Sequence, residues 1–421
     1  MVETKAVVFL TVLAVASGLS YYYFFLDDAF ISLRYAENLA TMGELSYNQG
    51  ERVEGITNLG YTLILYAVQA HLNPIFWIKI IPLVGFVASV LLFYKLTGNW
   101  QVSALLAVDG FYSAWASDGL ETSIFSALLL LGLLLADRKR FRLAGLALGA
   151  SAWFRLDGLL LAGLLLLKYR ERGLLLSLIP VAALEAFRLS YFHSLLPNSF
   201  PAKIALYSII VPLWKRPLIA AFKAAFLVAI YPLPLRNLLR NIKDPVAWFP
   251  LALFVAYSTT PIGGLRYLAY GIPIMMLYTK RFPRWYFGFV ILVSLVLHSF
   301  LLQQSYGMTV FNEAGEKLAE LNTEKEPVAV ADAGLLGFHQ KGTRVIDILG
   351  LNSKETTSYL QRGDFEGICE YLHSEGVKYV ALSQDPVSLE VERCLRCPLL
   401  FSQKYPPIVY KNASLKVYEC G

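Results

Sequence analysis

Charge is what this 421-residue chain has least of: Asp, Glu, Lys and Arg make up 16% of it and hydrophobic residues 56%, with a mean hydropathy of +0.52. A soluble domain carries about 25% charged residues, so the shortfall excludes a water-soluble globular protein of this size and leaves a polytopic membrane protein. Heptads, low-complexity tracts and a clear internal repeat are also missing, which removes coiled coils and solenoids. There is no phosphate-binding glycine loop, because Ala331-Asp-Ala-Gly-Leu-Leu-Gly has the wrong spacing. The five histidines are scattered, and no serine–histidine or cysteine–histidine arrangement follows from their spacing. The net charge of +6 does not signal nucleic acid, since Lys and Arg fall in short clusters between apolar runs.

Cysteine is scarce too. Cys369, Cys394, Cys397 and Cys420 all lie near the C-terminus, where the sequence turns polar, as expected of a disulfide-stabilised domain outside the cell. Three pairings remain open. A zinc site is the weaker reading, because there is no second closely spaced pair and no suitably placed histidine. Asn412-Ala-Ser is a glycosylation sequon.

What is there is a series of apolar runs. Residues 6–25 are too long for a signal-peptide core and lack a cleavage site, so they read as a retained first span. Leu59 to Leu72 is apolar but short of the roughly 17 residues a span needs, and its status decides the orientation of everything after it. Placed on the outer surface, it leaves the clusters at Lys95, Arg138 to Arg142, Lys168 to Arg172, Arg236 to Lys243 and Lys280 to Arg284 all cytoplasmic, as the distribution of positive charge requires. Counted as a span, it puts all five outside. The expectation is therefore about eleven transmembrane helices, with spans near 6–25, 75–95, 100–117, 119–136, 142–154, 158–169, 173–191, 217–235, 246–260, 264–280 and 284–302. The N-terminus is cytoplasmic. The fifth and sixth spans are short and flank Arg155 and Asp157, so they read as one helical hairpin held by protein.

Residues 1–302 then form the membrane domain, with an outer loop over 26–74, and residues 303–421 an extracytoplasmic α/β domain. In the latter, Val328 to Ala331, Arg344 to Ile348 and Lys378 to Leu382 read as strands, Phe365 to Ser374 as a helix, and Ile408 to Tyr418 as a hairpin turning at Lys411-Asn412. The topology brings six polar segments to the outer face: the loop from Asp27 to Asn58, Asp118 to Glu121, Arg155 to Asp157, His193 to Lys203, Lys215/Arg216, and Gly263 to Arg266. Ionisable groups at membrane depth point to function.

Asp27 and Asp28 follow the first span, where low polarity raises a carboxylate's pKa. Such a pair serves as a general base toward a hydroxyl or as ligands for a divalent cation, or it simply caps the helix Ala29 to Ala40. Arg34, about two turns on, is placed to neutralise the acids. Glu54 and Asn58 are four residues apart, but Gly50 and Gly55 favour turns over a shared helical face, and for Glu54 a structural salt bridge stands ahead of a catalytic role. Glu121 opens a span, where an acid also suits a helix N-terminus. Arg155, Lys203 and Arg266 are the outer-side bases nearest to span ends; they suit a phosphate, or snorkel to headgroups.

These residues carry a resemblance. Asp27-Asp-Ala-Phe-Ile-Ser-Leu-Arg-Tyr-Ala-Glu-Asn-Leu followed by Tyr47-Asn-Gln-Gly-Glu-Arg-Val-Glu-Gly-Ile-Thr-Asn resembles the first outer loop of the GT-C membrane glycosyltransferases, in particular the branch with the mycobacterial cell-wall arabinofuranosyltransferases. Gly119-Leu-Glu-Thr122, Arg155-Leu-Asp-Gly-Leu, Pro197-Asn-Ser-Phe-Pro-Ala-Lys203, Arg266-Tyr-Leu, Asp332-Ala-Gly and Val345-Ile-Asp-Ile-Leu-Gly-Leu extend it in order over nearly the whole chain. The resemblance implies an inverting transfer of sugar from a polyprenyl-phosphate donor to an extracytoplasmic glycan or glycoprotein. Asp28 or Asp27 would be the base, Arg155, Lys203 and Arg266 the phosphate partners, and Arg34, Glu54, Asn58, Glu121 and Asn198 the sugar site. Some members use a divalent metal, Mg or Mn, which Asp27 and Asp28 would hold. The chain departs from the pattern at Leu156-Asp157, where proline and glutamate are common, and in its shorter soluble tail, which leaves the sugar and acceptor open. A transporter or flippase of lipid-linked sugar is the alternative, against which stand the outer-side charges and the missing repeat. A sensor anchored by its spans is a third reading.

The orientation is testable. Alkaline phosphatase fused after residue 303 is expected to be active in a bacterial plasma membrane and fused after Lys243 inactive; the reverse pattern would overturn the assignment.

Overall fold

The computed structural model describes residues 2–68, 73–404 and 414–420. Its path divides into two compact units: unit one comprises Met1–Phe24, Ile75–Ala186 and Leu213–Leu301, and unit two Phe25–Pro74, Phe187–Pro212 and Leu302–Gly421. The division at 302/303 read from polarity is thus joined by two earlier segments that belong with the tail.

Unit one is helical. Four described helices, Glu3–Ser20, Pro74–Thr97, Arg172–Tyr191 and Arg284–Leu302, are long and apolar enough to cross a membrane, and up to five if a bent pair over 199–230 counts as one. Against the expected eleven, helix length and composition thus identify four or five, and some of the expected runs contain breaks. The run 100–117 is one such case: the helix Trp100–Val108 stops at Asp109, whose carboxylate caps the next turn through the Tyr112 N–H (2.8 Å) and accepts the Tyr231 hydroxyl (2.8 Å). The run 217–235 breaks at Pro232, between the helices Arg216–Ile230 and Pro232–Arg240. The hairpin around Arg155 is present, with helices Phe141–Ser151 and Gly158–Tyr169 flanking a turn. Gly145-x-x-x-Gly149 lets the first of these lie against the 3₁₀ segment Arg172–Ser177: a Cβ at Gly149 would run into the Ser177 carbonyl and one at Gly145 would meet the Gly173 oxygen at 2.8 Å.

In unit two the tail folds into a five-stranded mixed sheet, β1 Val328–Val330, β2 Val345–Asp347, β3 Tyr379–Leu382, β4 Leu399–Lys404 and β5 Ser414–Glu419, in the order β2-β1-β3-β5-β4. β1 runs parallel to β2 and β3; β5 is antiparallel to β3 and β4. The three strands expected from apolar runs are present, as is the helix Phe365–Ser374. Strand β4 and the helices Lys354–Arg362 and Pro386–Cys394 were not foreseen, although Ser353, Asp364 and Asp385 each cap a helix here. Of the expected hairpin from Ile408 to Tyr418, residues 408–413, with the turn at Lys411-Asn412 and the sequon start, lie outside the described residues; the rest falls in β5, which pairs antiparallel with β4. Ala329, Ile346, Val380, Ile368, Leu372, Val387 and Val391 form the core, joined by Ala205 and Leu206 of the helix Ser199–Ile210. The apolar stretch from Leu59 begins as the short helix Leu59–Val68.

The cysteines pair Cys369–Cys394 and Cys397–Cys420, which settles the connectivity left open by the sequence. Each bridge closes a loop of roughly two dozen residues, worth about 3 kcal/mol in chain entropy. Replacing Cys369 and Cys394 together with Ser is expected to destabilise the tail by about that amount, measured by urea unfolding of the purified chain; an unchanged midpoint would contradict the bridge's role.

Candidate functional site

In unit two, the helix Asp28–Met42 begins after Asp27, whose side chain makes no capping bond to that helix. Its carboxylate instead accepts the backbone N–H groups of Gly334 (2.8 Å) and Leu335 (2.7 Å). Capping is thus the right chemistry on a different segment. A Cβ at Gly334 would collide with the Asp27 carbonyl and carboxylate, so only glycine permits the approach. Burial raises the Asp27 pKa to about 6; the two amides oppose the rise, and the nearby charges of Asp28 and Asp347 add to it.

Asp332 and Asp347 follow the neighbouring parallel strands β1 and β2 or end them. Asp347 is buried and accepts from Leu349 N (3.0 Å), Asn352 N (2.9 Å) and Asn352 Nδ2 (2.9 Å); burial raises its pKa to about 6. Asp332 lies well above the carboxylate range, from burial first and then the charges of Asp27 and Asp385. The sequence reading quoted both motifs but gave neither acid a role.

Arg34 does not neutralise the acids. Its guanidinium is buried and donates to the carbonyls of Tyr47 (2.8 Å), Gly337, Gln340 (3.1 Å) and Thr343 (2.9 Å), clasping residues 337–343 against the outer loop. Asn48 extends that clasp by pairing with both the N–H and C=O of Val345 at 2.9 Å, as a neighbouring strand residue would. Glu54 sits in a non-helical stretch and pairs with Arg188 at 3.0 and 3.1 Å, each side chain 1% exposed, so the salt-bridge reading describes its geometry. Removing either partner of such a pair costs about 3–5 kcal/mol. Arg188 had been assigned only to a span. Asn198 donates to Gly350 O (2.7 Å), Leu351 O (3.1 Å) and Thr357 Oγ1 (3.1 Å), and Asn58 accepts from Ser32 Oγ (3.1 Å). Lys203 is half-buried on the helix Ser199–Ile210.

In unit one, Glu121, Arg155 and Arg266 fall in one neighbourhood. Arg155 donates to Asp157 Oδ2 from Nε (3.0 Å), to Glu121 Oε1 from Nη1 (3.2 Å) and to the Tyr257 hydroxyl from Nη2 (3.3 Å). The guanidinium groups of Arg155 and Arg266 both lie over the Tyr267 ring, at 4.5 and 5.0 Å from its centroid. Sequence reasoning missed two buried lysines. Lys79 donates to the carbonyls of Phe24 (2.5 Å) and Ser117 (2.8 Å), just before Asp118; Lys223 donates to the carbonyls of Tyr257 (2.7 Å) and Thr260 (2.8 Å). Each is a lone charge in an apolar run, which is the signal that could have found it. Among the described residues, no group of three or more His, Cys, Asp or Glu is arranged to hold a metal ion.

Residues 300–418 match a family described as a domain of unknown function (DUF8728). No curated protein matches the chain. Two solved structures of ArnT from Cupriavidus metallidurans are similar at 12% identity: the apo form, with a TM-score of 0.57 over 99% of this chain and 98% of that one, and the form bound to undecaprenyl phosphate, with 0.52 over 98% of each. The chain has an ArnT-like fold.

The pKa shifts predict a pH dependence. Asp27 and Asp347 hold protons in the folded state, near pH 6, that the unfolded chain releases near 3.8, so their contribution to stability is lost as pH rises through that window. Thermal melts are expected to show a smaller loss from pH 4 to pH 7 in Asp27→Asn than in the native chain; parallel curves would refute the assignment.

Proposed function

We propose that this protein is a membrane glycosyltransferase that moves a sugar from a polyprenyl-phosphate donor to an extracytoplasmic glycan or glycoprotein. The observation that carries the reading is the ArnT-like fold over nearly all of both chains, one of those structures holding undecaprenyl phosphate. In favour of it also stands the run from Asp27 to Asn58 and its resemblance to the first outer loop of GT-C enzymes.

Asp28 is the base in this proposal. Both oxygens of Asp27 already accept backbone N–H groups, which suits an anchor rather than a proton acceptor. Asp28 removes the acceptor hydroxyl's proton as its oxygen attacks the anomeric carbon from the face opposite the donor phosphate. The carbon–oxygen bond to phosphate breaks, and polyprenyl phosphate leaves with the bonding pair. Arg155, Arg266 and Lys203 stabilise that charge, Arg with a fork and Lys as a point charge. Arg34, Glu54, Asn58, Glu121 and Asn198 shape the sugar site, Arg34 and Asn198 being held by backbone carbonyls, Glu54 by its ion pair and Asn58 by the Ser32 hydroxyl. The chemistry runs on the outer leaflet of the plasma membrane. The resemblance to the arabinofuranosyltransferase branch makes a furanosyl donor the first to assay.

In purified enzyme, Asp28→Asn is expected to lower transfer by about 10²–10⁴-fold with its melting temperature retained. Asp27→Asn is expected to lose stability more than turnover. Native turnover in the Asp28 variant would remove it as the base, and native turnover in both variants would defeat the proposal.

A further inference from the structure

We propose that Tyr257 and Asp157 are positioning residues that fix the plane of the Arg155 guanidinium toward the lipid phosphate; this rests on the phosphate-binding reading of Arg155. All the groups involved belong to unit one.

An unrestrained arginine loses about 2 kcal/mol of rotamer freedom when it is ordered. Arg155 meets that cost before any ligand arrives. Three of the five N–H groups that a guanidinium carries are engaged in the bonds to Asp157, Glu121 and Tyr257. The guanidinium also lies over two rings, with centroids at 4.5 Å for Tyr267 and 5.5 Å for Tyr270. Of the two carboxylates on Arg155, Asp157 holds Nε and Glu121 holds Nη1, so the acids grip different edges of the guanidinium.

Asp157 accepts the Tyr257 hydroxyl at 2.8 and 2.9 Å and the Tyr270 hydroxyl at 2.8 Å, besides Arg155. The carboxylate is thereby fixed from three sides, and Tyr257 bridges it to the far end of the guanidinium. The main chain of Tyr257 is fixed as well. Lys223 lies buried on the helix Arg216–Ile230 and aims its ammonium at the end of the helix Trp248–Tyr257, donating to Tyr257 O (2.7 Å), Thr260 O (2.8 Å) and Thr260 Oγ1 (2.9 Å). A cation at a helix C-terminus is favourable, and here it makes that terminus a rigid base for the tyrosine.

The test is binding of undecaprenyl phosphate to the full chain in detergent, with melting temperature recorded in parallel. Arg155→Ala and Tyr257→Phe are each expected to weaken binding, the latter by about tenfold, the equivalent of one hydrogen bond to a charged group; melting temperature falls in Arg155→Ala, which leaves Glu121 and Asp157 without their cation, and changes little in Tyr257→Phe. Added guanidinium is expected to restore binding to Arg155→Ala and to fail with Arg155→Ala/Tyr257→Phe, a difference that a merely structural tyrosine would not produce. Asp157→Asn is the second variant. Native affinity in both Tyr257→Phe and Asp157→Asn, with Arg155→Ala impaired, would overturn the inference alone. Native affinity in Arg155→Ala would instead remove the phosphate role of Arg155 from the proposed function.

Discussion

Unit two depends on the carboxylate of Asp27 accepting two backbone amides from residues 334 and 335. Around that contact the outer loop and the tail satisfy each other's polar groups. Tyr47 donates its hydroxyl to Ala333 O at 2.6 Å, Arg34 clasps the carbonyls that follow, and Asn48 pairs with Val345. Buried backbone groups must find partners, and here those of residues 333–345 in the tail find them in outer-loop side chains more than 280 residues away in sequence. The division of labour between adjacent acids follows: one residue before the helix points at the tail, and the next begins the helix itself.

Unit one solves the same problem with fewer charges. Each buried ion described there is met by carbonyls, hydroxyls or an opposite charge, and each tends to sit where a helix ends. Asp109 marks a break, Lys223 seals a C-terminus, and Lys79 holds the carbonyls of Phe24 and Ser117. In a low-dielectric setting such contacts are strong when complete and costly when broken. That is why the segment around Arg155 is built from an acid pair and three tyrosines rather than from one arginine left to its own rotamers.

The strands β1, β2 and β3 and the helix Phe365–Ser374 were legible because their apolar spacing is regular. The helix Pro386–Cys394 carries a local start signal in Asp385-Pro386, but its apolar positions are too few to mark its length. The breaks inside the apolar runs were not legible, since an apolar window averages over Asp109 and over Tyr231-Pro232, where the helices stop. At the site, residue types were legible and partners were not. Arg34 sits close in sequence to two acids yet bonds carbonyls near residue 340, and Glu54 was matched with an arginine that hydropathy had assigned to a span. Long-range pairing leaves no local trace.

The make-up of unit two from three separated segments, Phe25–Pro74, Phe187–Pro212 and Leu302–Gly421, governs how it can be made. The outer loop leaves the ribosome before the tail's backbone groups that Asp27, Arg34 and Asn48 will bond. Glu54 meets Arg188 only after the middle segment emerges, and Asn198 finds its acceptors only after the last. The loop therefore matures in stages set by synthesis, and its final shape is conferred by the part of the chain that arrives last.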